Sequence, residues 1–276
     1  MGQNGYWVIR TWESGPVGEK VKFWIPGQKP TKSQRRMKQD IRKARQNKEA
    51  SERMLARLIN ANFTQGDVLM GLDYSDDAMY RKIMARAEKI KAQRKKAGKA
   101  EEEPETEQLE CYRLAAEHEL ENFILRMQRA AKKRGIELKY IAVTSDMDGE
   151  TGEMVRVHHH LLVNREAAKI AGEKWKLGGV DQKKLGKQPD YTPIAAYLML
   201  QLRHVPDAKK YKPSRNLIRP VPKDRIAQSD AELRMPEGCS MLHRSEYSTG
   251  MSQYIRYILR SRKKDRPRRT KGSEVN

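Results

Sequence analysis

Residues 154–164, Met-Val-Arg-Val-His-His-His-Leu-Leu-Val-Asn, constrain this chain more than any other stretch, because three of its six histidines stand in a row there. Their neighbours Val155, Val157, Leu161, Leu162 and Val163 are the β-branched and aliphatic residues that fill a buried strand. Side chains alternate between the faces of a strand, so His158 and His160 share one face and His159 points to the other. Two neutral imidazoles on one face can grip one divalent metal. A carboxylate from a neighbouring strand would complete such a site and leave positions open for substrate oxygens. The competing reading of the same residues is a set of ordinary strand histidines, packed or exposed.

Charge narrows the partner. Lys and Arg total 57 against 36 Asp and Glu, a net charge of +21 spread through the whole chain, which calls for a polyanion and points first to nucleic acid. A membrane is not expected: no apolar run approaches the roughly 18 residues that span a bilayer, and nothing near Met1 resembles a signal peptide. Cys111 and Cys239 lie far apart with no CxxC spacing, so neither a disulfide framework nor a zinc knuckle is indicated, and a reducing cytoplasm fits.

Taken in order, residues 6–12 and 20–25 are aromatic and β-branched runs that predict a hairpin across Ser14 to Gly18. Trp7, Trp12 and Trp24 are expected to pack that hairpin against the main domain rather than to stack on bases. Residues 31–60 predict a long basic helix capped at Thr31 that docks through Met54, Leu55, Leu58 and Ile59. A strand over 68–74 is followed by a helix capped at Ser75, then by a charged break over 94–107. A second helix, 107–134, carries Leu120, Phe123, Ile124 and Met127 and stops at Gly135. A strand over 138–144 forms an antiparallel hairpin with the histidine strand. A short helix over 165–175, an edge strand over 178–182 and a helix from Thr192-Pro193 to about Arg203 complete the pattern. The basic tail over 260–271 reads as a disordered arm. This order predicts an α+β fold, an antiparallel sheet with packed helices. Three regions follow: an N-terminal hairpin and basic helix over 1–60, a main domain over 61–220, and a C-terminal extension over 221–276.

Several of these features coincide with a known pattern. A His-x-His strand followed by a tyrosine on a helix, a Phe63-Thr64-Gln65-Gly66-Asp67 turn leading into a strand that ends at Tyr74, and Ser214-Arg215-Asn216-Leu217 with Pro220 resemble the HUH endonucleases, in particular the rolling-circle replication initiators of phages and plasmids. The resemblance covers about residues 60–220. The chain departs from it at three places: His159 stands where a hydrophobic residue is usual, Asp73 where threonine is usual, and Leu200 where a lysine usually follows the tyrosine.

The resemblance implies a ferredoxin-like antiparallel sheet and a nickase that joins Tyr197 to the 5′ phosphate of single-stranded origin DNA. It implies a divalent cation, Mg or Mn, on His158 and His160, and host replication machinery as a further partner. Asp146 is the expected third ligand, in place of the glutamate usual on this strand, if a three-residue loop Glu150-Thr151-Gly152 sets Thr144 opposite His158. A two-residue turn would instead set Ser145 opposite His158 and turn Asp146 away. Arg203, His204 and Arg215 are expected to contact DNA, with Gln201 one helical turn after Tyr197. Two other readings stay open: a relative that binds DNA without chemistry, and an unrelated basic RNA-binding protein.

Overall fold

The computed structural model describes residues 5–27, 40–99, 103–202, 210–228, 232–246 and 252–260. It divides into two compact units, Ser33–Arg219 and a second made of Met1–Lys32 with Pro220–Asn276.

In the second unit, β1 (Gly5–Ser14) and β2 (Val17–Pro26) form the expected hairpin, turning at Gly15-Pro16. Three late strands join them: β8 (Lys223–Ala227), β9 (Ser240–Glu246) and β10 (Ser252–Ile258). The antiparallel sheet runs β8-β1-β2-β10-β9, over a small core of Ile9, Leu233, Ile255 and Tyr257. The tryptophans of the hairpin serve this unit: Trp7 and Trp24 meet edge to face at 5.5 Å, and the Lys22 ammonium stands 4.7 Å from the Trp7 ring. Arg10 grips Asp224 of β8 through two bonds of 2.6 and 2.7 Å. The three-region division is corrected here. Hairpin and C-terminal extension are two halves of one sheet, because each hairpin strand finds its outer partner more than two hundred residues later.

The first unit contains α1 (Asp40–Asn62), β3 (Val68–Leu72), and a helical run made of α2 (Asp76–Ala78), a π-helical segment (Met79–Met84) and α3 (Ala85–Lys96). There follow α4 (Pro104–Arg134), β4 (Tyr140–Met147), β5 (Met154–Val163), α5 (Arg165–Lys174), β6 (Val180–Lys184), α6 (Thr192–Leu200) and the short β7 (Lys212–Pro213). Sheet order is β6-β3-β5-β4-β7, all antiparallel, with β5 at the centre. Alternation along the strands feeds two cores. Met70, Leu72, Val157 and Leu161 pack with Phe123 and Met127 of α4 and Ile170 of α5, whereas Ile141, Val143 and Leu162 pack with Leu55, Leu58 and Ile59 of α1 and Leu198 of α6. The fold is therefore mixed α/β with antiparallel sheets, as the pattern predicts, and it carries helices on both faces of the central sheet.

Some boundaries differ from expectation. Ser75 caps its helix through a bond accepted from the Ala78 N–H, and α4 ends at Gly135 in the left-handed conformation, φ 65°. The charged break is shorter than the sequence suggests: α3 runs to Lys96 and α4 begins at Pro104. The start of the 31–60 helix with its Thr31 cap, and the tail beyond Arg260, lie outside the described residues. No helix among the described residues is long and apolar enough to cross a membrane.

Candidate metal centre and its tyrosine

β5 presents its three histidines to two different environments. His159 is fully buried among Tyr74, Trp175 and Thr144. Burial pushes the Tyr74 phenol well above its ordinary range, so its O–H stays on and donates to His159 Nε2 at 2.7 Å. Nδ1 must then carry the proton and donate to Thr144 Oγ1 at 3.1 Å. Burial, with lesser contributions from His158 and His160, pushes the His159 pKa down to about 3, so the ring is a neutral, fully bonded core residue.

On the opposite face His158 and His160 stand with their Nε2 atoms 3.1 Å apart and rings edge to face at 4.9 Å. His158 Nδ1 lies 3.0 Å from the Arg156 carbonyl, which only accepts, so Nδ1 bears the proton and Nε2 presents its lone pair. Burial and the neighbouring His158 push the His160 pKa down to about 4 and keep it neutral. The third donor is Gln201, whose Oε1 is 2.5 Å from His160 Nε2. The glutamine is fixed through its backbone, since the Ser145 hydroxyl, itself buried, donates to Gln201 O at 2.6 Å. Two ligands about 2.1 Å from one cation at a right angle stand about 3 Å apart, which is the spacing of the histidine pair, with Gln201 Oε1 closer to His160. Two imidazole nitrogens beside an amide oxygen suit Mn better than Mg, which keeps to oxygen ligands and water. Among the described residues no group of three or more His, Cys, Asp or Glu is placed to hold a metal, and this set, with its glutamine, is of a different kind.

The expected carboxylate is not there. Ser145, not Thr144, stands opposite His158, Met147 opposite Met154, and the register shifts between them, leaving three residues of β5 against Asp146 alone. The turn causes this. Asp148 accepts from the N–H groups of Glu150 and Thr151, both at 2.8 Å, and its own backbone closes on Glu153, so the loop fixes one register and the histidines another. Asp146 is thereby buried on the α4 side, within electrostatic reach of Arg113. The expectation for Asp146 as a ligand is corrected accordingly.

A different carboxylate faces the pair. Asp73 follows Leu72, the last β3 residue paired with β5, and is next in register to His158; its charge favours protonated His160. Its backbone is held from two sides, donating to Gly179 O at 3.1 Å and accepting from the Trp175 indole at 3.0 Å. Gly178 is required for this approach: a Cβ there would lie 2.2 Å from the Asp73 carbonyl oxygen. Sequence reasoning singled out Asp73 only as a departure. Period-2 alternation from Leu69 through Gly71 is the signal that places it on the histidine face.

Tyr197 lies on α6 with its ring 5.4 Å from that of His160 and is 44% exposed, so the residue is accessible while the helix is anchored. The anchor is Asn60 of α1, which accepts from the Tyr191 N–H at 2.7 Å and donates to Asp190; Asp190 in turn accepts from the Thr192 N–H at 2.9 Å. Arg203 and His204 lie outside the described residues. Arg215 is not brought to the pair. It is exposed near Tyr140, five residues and about 17 Å along β4 from Ser145. Its segment clasps the start of β4 instead, with Ser214 bonded to Tyr140 and Asn216 to Leu138.

The chain matches no protein-family model, no curated protein and no solved structure.

Proposed function

We propose that this chain is a metal-dependent nickase and strand transferase of single-stranded DNA, the replication-initiator activity that its sequence resembles. The observation that carries the reading is the convergence of His158 Nε2, His160 Nε2 and Gln201 Oε1 beside an accessible tyrosine, on a chain of net charge +21. In this reading the Tyr197 oxygen attacks the phosphorus of a phosphodiester. A 5′-phosphotyrosyl bond forms as the P–O3′ bond breaks, the phenol gives up its proton to solvent and O3′ takes one up, leaving a 3′-hydroxyl from which a polymerase can extend. His158, His160 and Gln201 would hold a divalent ion, whose contribution there would be Lewis-acid polarisation of a phosphate oxygen. Asn60 and Asp190 hold the first turn of α6, so Tyr197 is presented without reorganisation. The Ser145–Gln201 bond ties the end of that helix to β4 at the position opposite His158. Single-stranded origin DNA, host replication machinery and a cytoplasmic setting belong to the same proposal.

The test needs no knowledge of the origin. Incubating the full chain and Mn2+ with a labelled pool of single-stranded oligonucleotides of randomised sequence is expected to give an adduct that survives denaturing electrophoresis. Chelation or Tyr197→Phe is expected to abolish it. A chain that binds the pool and forms no adduct would be a DNA-binding protein without this chemistry.

A further inference from the structure

A cleft of about 490 Å³ opens beside Tyr197 and His160, and strand cleavage alone gives it no task. Its floor is a glycine. Across the sheet the register reads Asp181 on β6, Gly71 on β3 and His160 on β5, all on one face. Neighbouring strands are about 4.8 Å apart, so Asp181 and His160 stand about 10 Å apart with no side chain between them. Gly71 is not demanded by its backbone, for it is absent from the positive-φ glycines, nor by crowding, since a Cβ there would meet nothing closer than Asp181 Cβ at 3.7 Å. A strand glycine with neither need is the mark of a floor kept clear for something else.

The walls are apolar, with Leu69, Leu185 and Ile194, while Lys183 and Gln188 stand among the polar groups. Lysine suits the sugar-phosphate chain that leads to the tyrosine. Asp181 does not: it is exposed, and its carboxylate pairs with no side chain among the described residues. A carboxylate repels phosphate and only accepts hydrogen bonds, so its complement in a nucleic acid is a donor on a base edge. Cytosine, adenine and guanine carry an exocyclic amino group. Thymine offers one N–H set between two carbonyl oxygens, which a carboxylate repels.

We propose that this cleft is a nucleobase subsite: it receives the base adjoining the scissile phosphate, and Asp181 selects a base bearing an exocyclic amino group over thymine. The proposal rests on the nickase reading for its substrate and adds the residue that sets specificity. Binding is measured, not cleavage, so that the two can fail separately. In the Tyr197→Phe background with Mn2+, fluorescence anisotropy against labelled dA, dC and dT 12-mers is expected to favour dA or dC over dT about fivefold or more. Asp181→Ala is expected to bring the three within about twofold, by losing the amino contact and ceasing to repel dT. Gly71→Val fills the floor with a strand-compatible side chain and is expected to level the preference in the same way. Its Mn2+ affinity by calorimetry should stay within about twofold, showing the histidine set intact. A preference for dA or dC that survives both substitutions, or its absence in the parent, overturns the subsite while leaving the nickase reading standing. Failure to bind any of the three oligonucleotides overturns both.

Discussion

The two faces of β5 put the same residue type to opposite uses. His159 has every polar atom paired inside a shell of Tyr74, Trp175 and Thr144 and no route to solvent. One residue to either side, His158 and His160 turn their Nε2 atoms toward each other and toward Gln201, beside an accessible tyrosine. Burial alone does not separate them, since His160 is itself only 7% exposed. The difference lies in what the second nitrogen of the ring meets. A ring bonded at both nitrogens to hydroxyls is a bracket, whereas His158, steadied at Nδ1 by the Arg156 carbonyl, turns the lone pair of its Nε2 to His160 and is placed as a ligand.

The contrast can be broken most forcefully from the bracket side. His159→Ala removes a buried ring and strands the Tyr74 and Thr144 hydroxyls, and should cost about 4 kcal/mol in urea denaturation; His158→Ala should cost no more than about 1. Equal losses would erase the distinction. From the ligand side, His158→Ala and His160→Ala should each lower Mn2+ affinity on the order of 100-fold in calorimetry, whereas His159→Phe should leave it nearly unchanged.

Titration sharpens the same point. His159 titrates near 6.5 in the unfolded chain and is held down to about 3 in the fold by burial. Above pH 6.5 both states leave the ring neutral and it contributes no pH dependence. As pH falls from 6.5 toward 3 the unfolded state takes a proton that the fold refuses, so stability falls by up to about 1.4 kcal/mol per pH unit from this group. Denaturation midpoints at pH 7, 6 and 5 should show that slope, and His159→Phe should reduce it by one proton. Gln201→Ala should weaken Mn2+ about tenfold, and Asp73→Asn about threefold, the smallest effect because the carboxylate acts through its charge at an exposed position.

What the sequence revealed followed strand alternation. The split between His159 and its neighbours, the strand character of β3, β4, β5 and β6, and a helix bearing Tyr197 after the histidine strand all follow from local pattern. Asp146 did not, because a bulge moves residues between faces and was set by Asp148 capping a turn rather than by any hydrophobic signal. Gln201 was half legible: its spacing from Tyr197 placed it on the same helix face, yet only the Ser145 hydroxyl, buried at the facing strand, turns its amide toward His160. The second sheet was illegible for a different reason. Its strands β8 and β9 are exposed over much of their length, and the registers of β8 and β10 are decided by pairing with a hairpin at the other end of the chain.

The chemistry proposed for this chain joins one particular oxygen, that of Tyr197, to DNA. Digesting the adduct formed with Mn2+ and the randomised oligonucleotide pool, then sequencing the nucleotide-bearing peptide by mass spectrometry, reads this directly. The predicted result is a single modified residue, Tyr197, lost on chelation and on His160→Ala. A nucleotide carried by Tyr191, Tyr211, Tyr254 or Tyr257 would contradict it, as would an adduct on Tyr197 whose yield is indifferent to the histidine pair.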